Sequence, residues 1–371
     1  MIQYRKTYLF FLLATTLSIN LIAQNSNNKV TLTVNKNFEL LYAMYLSTNI
    51  DSILINNKHS GFPLVTQKDF ELKRKFYEKF SKYKDSPQVR FYNAIAGKGF
   101  LFGAPFNALI RVDSSLNIID SCYFKQLPLP KEAKESVVLF TKKLKEFCDL
   151  SEFNDFYNYN KSLYDTIIKT NKEIIPLENL VSSTEDFFGW KLNGYHVVLV
   201  PMMWPGGLSF EYKKHCIDSL TEVYICIGPK SVESNVPKFG TKEEFKSVIV
   251  HEFVHPFVSH YCMKYREQIN QYAALYNKNE NIYRINGCPD WFSAINELLT
   301  RTVEIIINSN NDNEKIIKAV DYQSKDLGFS YIPVLYKAFD KYYSSKVRVG
   351  TNLDTVFLDI IHSLDESGQI K

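Results

Sequence analysis

Apolar positions recur every three or four residues over much of the chain, which is the spacing of one helix face. The clearest stretch is 131–149, where Val137, Phe140, Leu144 and Phe147 share a face. We interpret such stripes as core packing, because a helix that packs on its neighbours buries one apolar face. Further helices are predicted on the same basis at residues 37–47, 66–84, 314–320, 331–343 and 353–364.

Strand patterns cluster directly before the central helix of the chain. Residues 195–200 form a continuous apolar run, 208–212 alternate between apolar and polar, and 221–227 form a third β-rich run. A Pro-Gly-Gly turn at 205–207 separates the first two. Residues 24–33 are polar and then rich in Thr and Val, which predicts a linker or a short edge strand. The pattern therefore predicts an α+β protein that is predominantly helical, with one small sheet.

The helix after this sheet carries a five-residue pattern that is typical of zinc sites. Thr241 and Glu244 have the spacing of a capping box at its start. His251 and His255 lie four residues apart, so their imidazoles share one helix face, and Glu252 stands beside the first. Such a histidine pair can bind one zinc ion, and the glutamate can activate a water molecule.

Pro256 directly follows the second histidine. A proline inside a helix removes a backbone hydrogen bond and costs ~3 kcal/mol. We therefore predict a kink or an end of the helix between residues 252 and 256.

A catalytic zinc ion needs a third protein ligand and keeps one position for water. One known layout places a third histidine six residues after the second, but Tyr261 occupies that position. His260 lies nine residues after His251, which turns it to the opposite side of a regular helix. Neither residue is therefore expected to complete the site.

A glutamate on a later helix is the alternative third ligand. Glu297 lies on a predicted helix that Asp290 caps, and apolar residues surround it. Arg301 and Glu304 share its helix face at spacings of four and seven residues. We predict Glu297 as the ligand, with Glu304 as the second choice. Otherwise Glu304 and Arg301 are expected to support the ligands from outside, and Arg301 would orient a carboxylate.

Charge and the N-terminus narrow the class of protein. The chain has 371 residues and a net charge of +4, which is too small to predict nucleic acid or an anionic membrane as a partner. Arg5 and Lys6 precede a mostly apolar stretch at 8–21, and Ala23 ends it. This pattern predicts a secretory signal peptide at 1–23, with no stable membrane insertion after its cleavage.

Six cysteines are spread along the chain, and none has the Cys-x-x-Cys spacing of a redox or thiolate zinc motif. An exported protein could pair them, and six cysteines allow 15 pairings. Buried free thiols are the equally weighted alternative. The residues concerned are Cys122, Cys148, Cys216, Cys226, Cys262 and Cys288.

With these motifs the chain resembles the gluzincin branch of zinc peptidases. It more closely resembles an uncharacterised bacterial family of exported proteins, a domain of unknown function expected to contain metallopeptidases. The likeness covers most of the mature chain. It is carried by residues 37–42, 83–87, 147–164, 251–257, 291–301 and 328–331.

The resemblance implies a zincin-like core in which His251, His255 and Glu297 bind zinc and Glu252 is the general base. In gluzincins a Tyr or His also stabilises the oxyanion, and we assign Tyr331 to that role because it follows a Gly-Phe-Ser turn. An extended substrate would pair with an edge strand, for which 207–212 and 221–227 are the candidates.

The sequence thus predicts four regions: the signal peptide at 1–23, a mainly helical region at 24–185, a catalytic core at 186–310 and a helical region at 311–371. The expected function is that of a periplasmic or extracellular zinc metallopeptidase that acts on peptides or proteins. The alternative is a secreted or surface binding protein without catalytic activity that retains the same fold. The oligomeric state is left open.

Overall fold

The computed structural model describes residues 29–48, 65–126, 130–217, 220–344 and 351–367. The predicted signal peptide lies outside these residues. Helices make up most of the described chain, and strands form one small sheet and a short hairpin, as expected for an α+β protein. No helix among the described residues is both long enough and apolar enough to cross a membrane. The boundaries of the four predicted regions stay predictions.

Nine helices precede the second strand in the described ranges, and their apolar faces build an aromatic core. The long helix predicted at 131–149 is confirmed, and the one predicted at 66–84 is shorter and ends in a 3₁₀ turn at Ser81–Tyr83. The nine helices are α1 (Lys36–Tyr45), α2 (Glu71–Phe80), α3 (Pro87–Ala96), α4 (Gly103–Leu109), α5 (Ser121–Gln126), α6 (Lys131–Leu150), α7 (Phe153–Tyr159), α8 (Lys161–Lys172) and α9 (Leu177–Phe188).

One four-stranded sheet lies beside the central helix, in the strand order β1-β2-β4-β3. The first three strands in this order are parallel, and β3 is antiparallel to β4. The expected strand within 24–33 is an edge strand. The second edge is β3, so the candidate edge at 221–227 is wrong, because β4 pairs on both sides. The strands are β1 (Val30–Thr33), β2 (Gly194–Leu199), β3 (Gly206–Lys213) and β4 (Thr221–Gly228), with a hairpin of β5 (Ser231–Glu233) and β6 (Val236–Lys238).

The central helix, α10, runs from Lys242 to Lys264 and begins with the predicted capping box of Thr241 and Glu244. The predicted end near Pro256 is wrong, since the helix continues for two more turns. A proline at position 256 leaves the carbonyl of Glu252 without its usual N–H donor. The Ser209 hydroxyl of β3 donates to that carbonyl at 2.8 Å. The neighbouring strand thus supplies the hydrogen bond that the helix lacks.

Six further helices follow, and the longest of them packs along α10. Asp290 caps this helix, as predicted, through the backbone N–H of Ser293. A π-helical turn at Tyr322–Asp326 comes after the next helix. These helices are α11 (Arg266–Asn270), α12 (Glu280–Ile285), α13 (Trp291–Ser309), α14 (Asn313–Asp321), α15 (Ile332–Tyr343) and α16 (Leu353–His362).

One disulfide joins Cys122, in α5, to Cys216, just beyond the end of β3. It ties the N-terminal helices to the edge of the sheet across 94 residues of sequence. The other four cysteines are buried free thiols. Both alternatives left open by the sequence therefore occur in the same chain.

Candidate metal centre and cleft

The predicted ligands come together where α10 passes α13. The Nε2 atoms of His251 and His255 lie 3.1 Å apart. Oε2 of Glu297 is 3.6 Å from the first of these nitrogens and 3.5 Å from the second. Tetrahedral ligands bound to zinc at about 2.0–2.1 Å would lie about 3.3 Å from each other. The three donor atoms therefore have the spacing that one such ion requires.

The His251 ring is held from its other side by a carboxylate. Its Nδ1 atom lies 3.0 Å from Oε2 of Glu304. The Ser247 hydroxyl, one turn earlier on α10, donates to the other oxygen of the same carboxylate. Glu304, the second choice for the third ligand, therefore contacts the ring nitrogen that faces away from the other two donors. Its position suits a group that orients His251.

The His255 ring is held in the same way by α13. Its Nδ1 atom lies 3.2 Å from Oδ1 of Asn296 and 3.3 Å from the hydroxyl of Thr300. The Asn296 amide nitrogen donates to the Ser259 hydroxyl at 2.9 Å, which directs its oxygen to the histidine. These anchors were not predicted from the sequence, in which their one signal is that Asn296 and Thr300 flank Glu297 on its own helix.

These anchors determine where the imidazole protons lie. Glu304 and Asn296 offer oxygen acceptors, so a neutral ring at either position carries its proton on Nδ1. Both Nε2 lone pairs then face the Glu297 carboxylate and each other. Three electron-rich atoms this close together in a buried site require a cation among them, which is a metal ion or a proton.

The charges around the site favour a cation at this point. Burial lowers the pKa of His251, but the carboxylates of Glu297 and Glu304 outweigh burial and raise it to about 10. Burial and the adjacent His251 lower the pKa of His255 to about 4. Burial alone would raise the pKa of Glu297, but the charges of His251 and Arg301 hold it well below its usual value.

Arg301 fixes the carboxylate of the third candidate ligand. Its Nε atom lies 2.6 Å from Oε1 of Glu297, one turn away on α13, as an ion pair rather than an aligned hydrogen bond. Its Nη1 donates to Gln323 of the π-helical turn at 2.9 Å, and its guanidinium stacks over Phe329. The oxygen of Glu297 that faces the histidines is thus left to them. Arg301 therefore contacts the carboxylate that it is predicted to orient, and the orienting role itself stays a prediction.

Glu252 lies at the same place and faces the edge of the sheet. One of its carboxylate oxygens is within 4.8 Å of ligand atoms of both His251 and His255. Burial raises its pKa to about 7, and the charge of His251 opposes this only in part. A β-carbon at Gly207 of β3 would lie 2.7 Å from the Glu252 Cδ, so only a glycine fits beside the carboxylate.

The site opens into a cleft of about 2030 Å³. This volume exceeds that of most small-molecule pockets, which is about 300–1,000 Å³. One wall consists of β3 and α10, and Phe102, Asn107 and Arg111 from the N-terminal helical region line a further part of the cleft. The cleft therefore has room for an extended polymer beside the candidate metal centre.

Tyr331 does not reach this cleft, which contradicts its predicted role as the oxyanion donor. Its side chain is 1% exposed, and its hydroxyl donates to the carbonyl of Leu275 at 3.4 Å. Packing of the segment before α15 turns the ring into the core, against Trp291. A tyrosine that does line the cleft is Tyr322, in the π-helical turn.

The family described as Domain of unknown function (DUF4932) matches residues 30–362. Comparison with curated proteins gives no match, and comparison with solved structures gives none. The match spans both the helical first half and the cleft with all of its candidate ligands. It confirms the part of the resemblance that concerns an uncharacterised domain family. The chain belongs to the family described as Domain of unknown function (DUF4932).

Proposed function

We propose that the protein is an exported zinc metallopeptidase with a zincin-like core. The observation that carries this proposal is the set of three donor atoms from His251, His255 and Glu297, spaced 3.1 to 3.6 Å apart beside a buried carboxylate. The donor set of two imidazoles and one carboxylate is one that catalytic zinc sites use. A resident zinc ion would lower the pKa of a water molecule and polarise a carbonyl group.

Glu252 acts as the general base in this proposal. It is the carboxylate beside the ligand set that neither contacts Arg301 nor anchors a histidine. It takes a proton from the attacking water and delivers it to the leaving nitrogen of the peptide bond. A base is most effective when its pKa is near the working pH, and burial brings the pKa of Glu252 to about 7.

The peptide is proposed as the substrate because β3 is an edge strand whose end lies beside Glu252. An edge strand offers backbone groups that an extended chain can pair with. Export is supported by the Cys122–Cys216 disulfide, since disulfides persist chiefly in oxidising compartments. We expect a periplasmic or extracellular location on this ground and on that of the N-terminal pattern.

The proposal is tested by metal analysis and peptide cleavage with two variants. The purified protein should hold one equivalent of zinc and cleave peptides from an unfolded library, and a chelator should abolish the cleavage. Glu252→Gln should keep zinc and fold but lose activity by about 10²–10⁴-fold. Glu297→Ala should lose zinc, because two imidazoles alone are left.

Two outcomes would contradict different parts of this proposal. Bound zinc without cleavage of any library peptide would favour the non-catalytic binding protein. Full retention of zinc by Glu297→Ala would exclude Glu297 as the third ligand. Glu135→Gln, an exposed change on α6, serves as a control and should alter neither property.

A further inference from the structure

The hydrogen bonds of β4 show which backbone groups of β3 face the cleft. The carbonyl of Thr221 accepts from Asn193, and that of Ile227 accepts from Val200, both on the β2 side. The N–H and C=O of one strand residue point the same way, and the direction alternates along the strand. The odd-numbered residues of β4 therefore face β2, and the even-numbered ones face β3.

The register between β3 and β4 shows which residues of the edge strand β3 follow the same alternation. Leu208 pairs with Cys226 and Phe210 pairs with Tyr224, so the even-numbered residues of β3 bond to β4. The N–H and C=O groups of the odd-numbered residues point outward from the sheet. The carbonyl of Glu211 agrees with this direction, because it accepts a hydrogen bond from outside the sheet.

Two outward positions lie next to the candidate metal centre. Gly207 is the residue that touches Glu252, and Ser209 is the next outward residue. Within the described ranges, no backbone or side-chain group bonds to the outward N–H and C=O of either residue. Each such residue can exchange two hydrogen bonds with one residue of an antiparallel peptide.

The third outward position is Glu211, and Arg111 already bonds to its backbone. Its Nη2 atom donates to the carbonyl of Glu211 at 2.8 Å, across 100 residues of sequence. Its Nη1 atom donates to the Asn107 carbonyl at 2.6 Å, and its guanidinium lies 3.6 Å from the centre of the Tyr123 ring. Arg111 is 4% exposed, so this arrangement is packed in place rather than mobile at a surface.

We propose that Arg111 is a positioning residue that ends the substrate-binding edge of β3 at Glu211, so that an extended peptide pairs only with Gly207 and Ser209. The inference rests on the proposed peptidase function and deepens it. The substrate class is an unfolded peptide that forms backbone hydrogen bonds with two residues of β3 beside Glu252. The guanidinium occupies the place of a third peptide residue, which would otherwise bond to Glu211.

The contact between Arg111 and Glu211 limits how many peptide residues can pair with β3. Four residue steps separate Gly207 from Glu211, which is about 13 Å along a strand. A peptide whose scissile bond lies opposite Gly207 therefore gains strand pairing for about three residues in that direction. Peptide residues farther along leave the edge of the sheet and form no further backbone hydrogen bonds with β3.

The test is a series of peptides that share one cleavage site and are lengthened residue by residue at either end. In the wild-type protein, kcat/KM should rise with each added residue up to about the third on one side. It should then reach a plateau, on which further residues change it less than about twofold. In Arg111→Met the carbonyl of Glu211 loses its contact with the guanidinium, so the series should continue. The next residue should raise kcat/KM roughly two- to tenfold, through KM with kcat unchanged, as expected for one or two hydrogen bonds.

The same series is measured as binding to the Glu252→Gln background with zinc, which does not depend on turnover. Arg111→Lys, which keeps the charge but lacks the forked guanidinium, is the second variant should Arg111→Met fail to fold. The exposed Arg74→Met is the control and should keep the wild-type plateau.

Each outcome decides one question. A plateau that disappears in the Arg111 variants supports the inference. Chelator-sensitive cleavage without a plateau, or a plateau that the Arg111 variants retain, overturns the inference and leaves the peptidase proposal standing. Absence of both cleavage and peptide binding overturns the two together.

Discussion

Gly207 and Glu252 are packed so closely that neither can change size without moving the other. The glycine belongs to the edge strand, and the glutamate belongs to the helix that carries the two histidines. A β-carbon at position 207 would lie 2.7 Å from both Cγ and Cδ of the glutamate, which is closer than real contacts allow. At the scale of single residues, the position of the proposed base is therefore set by the absence of a side chain on β3.

Gly207→Ala should consequently displace the Glu252 carboxylate. The backbone at position 207 does not have a positive φ, so the effect is steric and not conformational. A misplacement of about 1 Å at a catalytic group costs on the order of 10²-fold in rate. We expect kcat for peptide cleavage to fall by about that factor, while zinc content measured by metal analysis stays at one equivalent.

Gly97→Ala is the matched control for this change. A β-carbon there would make only ordinary contacts, at 3.5 and 3.7 Å, with the carbonyls of Asn93 and Ala94, which do not line the cleft. Its kcat should equal that of the wild type. Unchanged kcat in Gly207→Ala would mean that Glu252 is not the base or that β3 yields to the new methyl group.

Residue spacing was enough to predict which side chains meet at the centre. His251 and His255 are joined by helix geometry, and Glu297 followed from the need for a third ligand on a buried helix. Tyr331 could not be chosen reliably among 24 tyrosines, because its orientation depends on packing between distant helices. The anchors on Asn296 and Thr300 were missed for the same reason, since they act across the contact between α10 and α13.

At the scale of elements, α10 and β3 share one hydrogen bond that resolves an apparent conflict in the sequence. Pro256 predicts a break in the helix, yet α10 continues to Lys264. The carbonyl that the proline leaves free is that of Glu252, and Ser209 donates to it. Intrinsic propensity argued for an end of the helix, and the neighbouring strand outweighed it, which no single-segment pattern could reveal.

A double-mutant cycle of Ser209→Ala and Pro256→Ala tests this compensation. In the wild-type background, Ser209→Ala leaves a carbonyl without a donor and should lower the free energy of unfolding by about 1–2 kcal/mol. In the Pro256→Ala background, residue 256 regains an N–H that can bond to Glu252, so the same change should cost less. Urea unfolding of the four proteins gives the coupling energy, and a value near zero would contradict the compensation.

At the scale of the whole molecule, the N-terminal helices form one wall of the cleft as well as a separate core. Phe102 and Arg111 line the cleft, and the Cys122–Cys216 disulfide ties this wall to the end of β3. Helical periodicity predicted α1, α2 and α6 among these helices, and the local patterns predicted the sheet. Their arrangement around the cleft depends on contacts between residues about 100 positions apart, which periodicity does not encode.

The core of this N-terminal region contains a carboxyl group that should make the stability of the whole protein depend on pH. Glu39 of α1 is fully buried, accepts one hydrogen bond from Tyr164 at 3.0 Å, and has a second oxygen to which no described residue donates a hydrogen bond. Burial raises its pKa to about 8, and the hydrogen bond from Tyr164 only partly opposes this. The folded protein therefore holds this proton over a pH range in which the unfolded chain releases it.

Between about pH 4.5 and 8 the folded state binds one more proton than the unfolded state at this position, so stability must fall as pH rises. The loss amounts to about 1.4 kcal/mol for each pH unit across that window.

Glu39→Gln is neutral at every pH and should lack this contribution. The free energy of unfolding of the variant relative to wild type should therefore increase by on the order of 2 kcal/mol between pH 5.5 and 7.5. Urea titrations at both values measure the difference, and the exposed Glu135→Gln should show no comparable change. Parallel pH profiles for Glu39→Gln and the wild type would mean that Glu39 is ionised in the folded core.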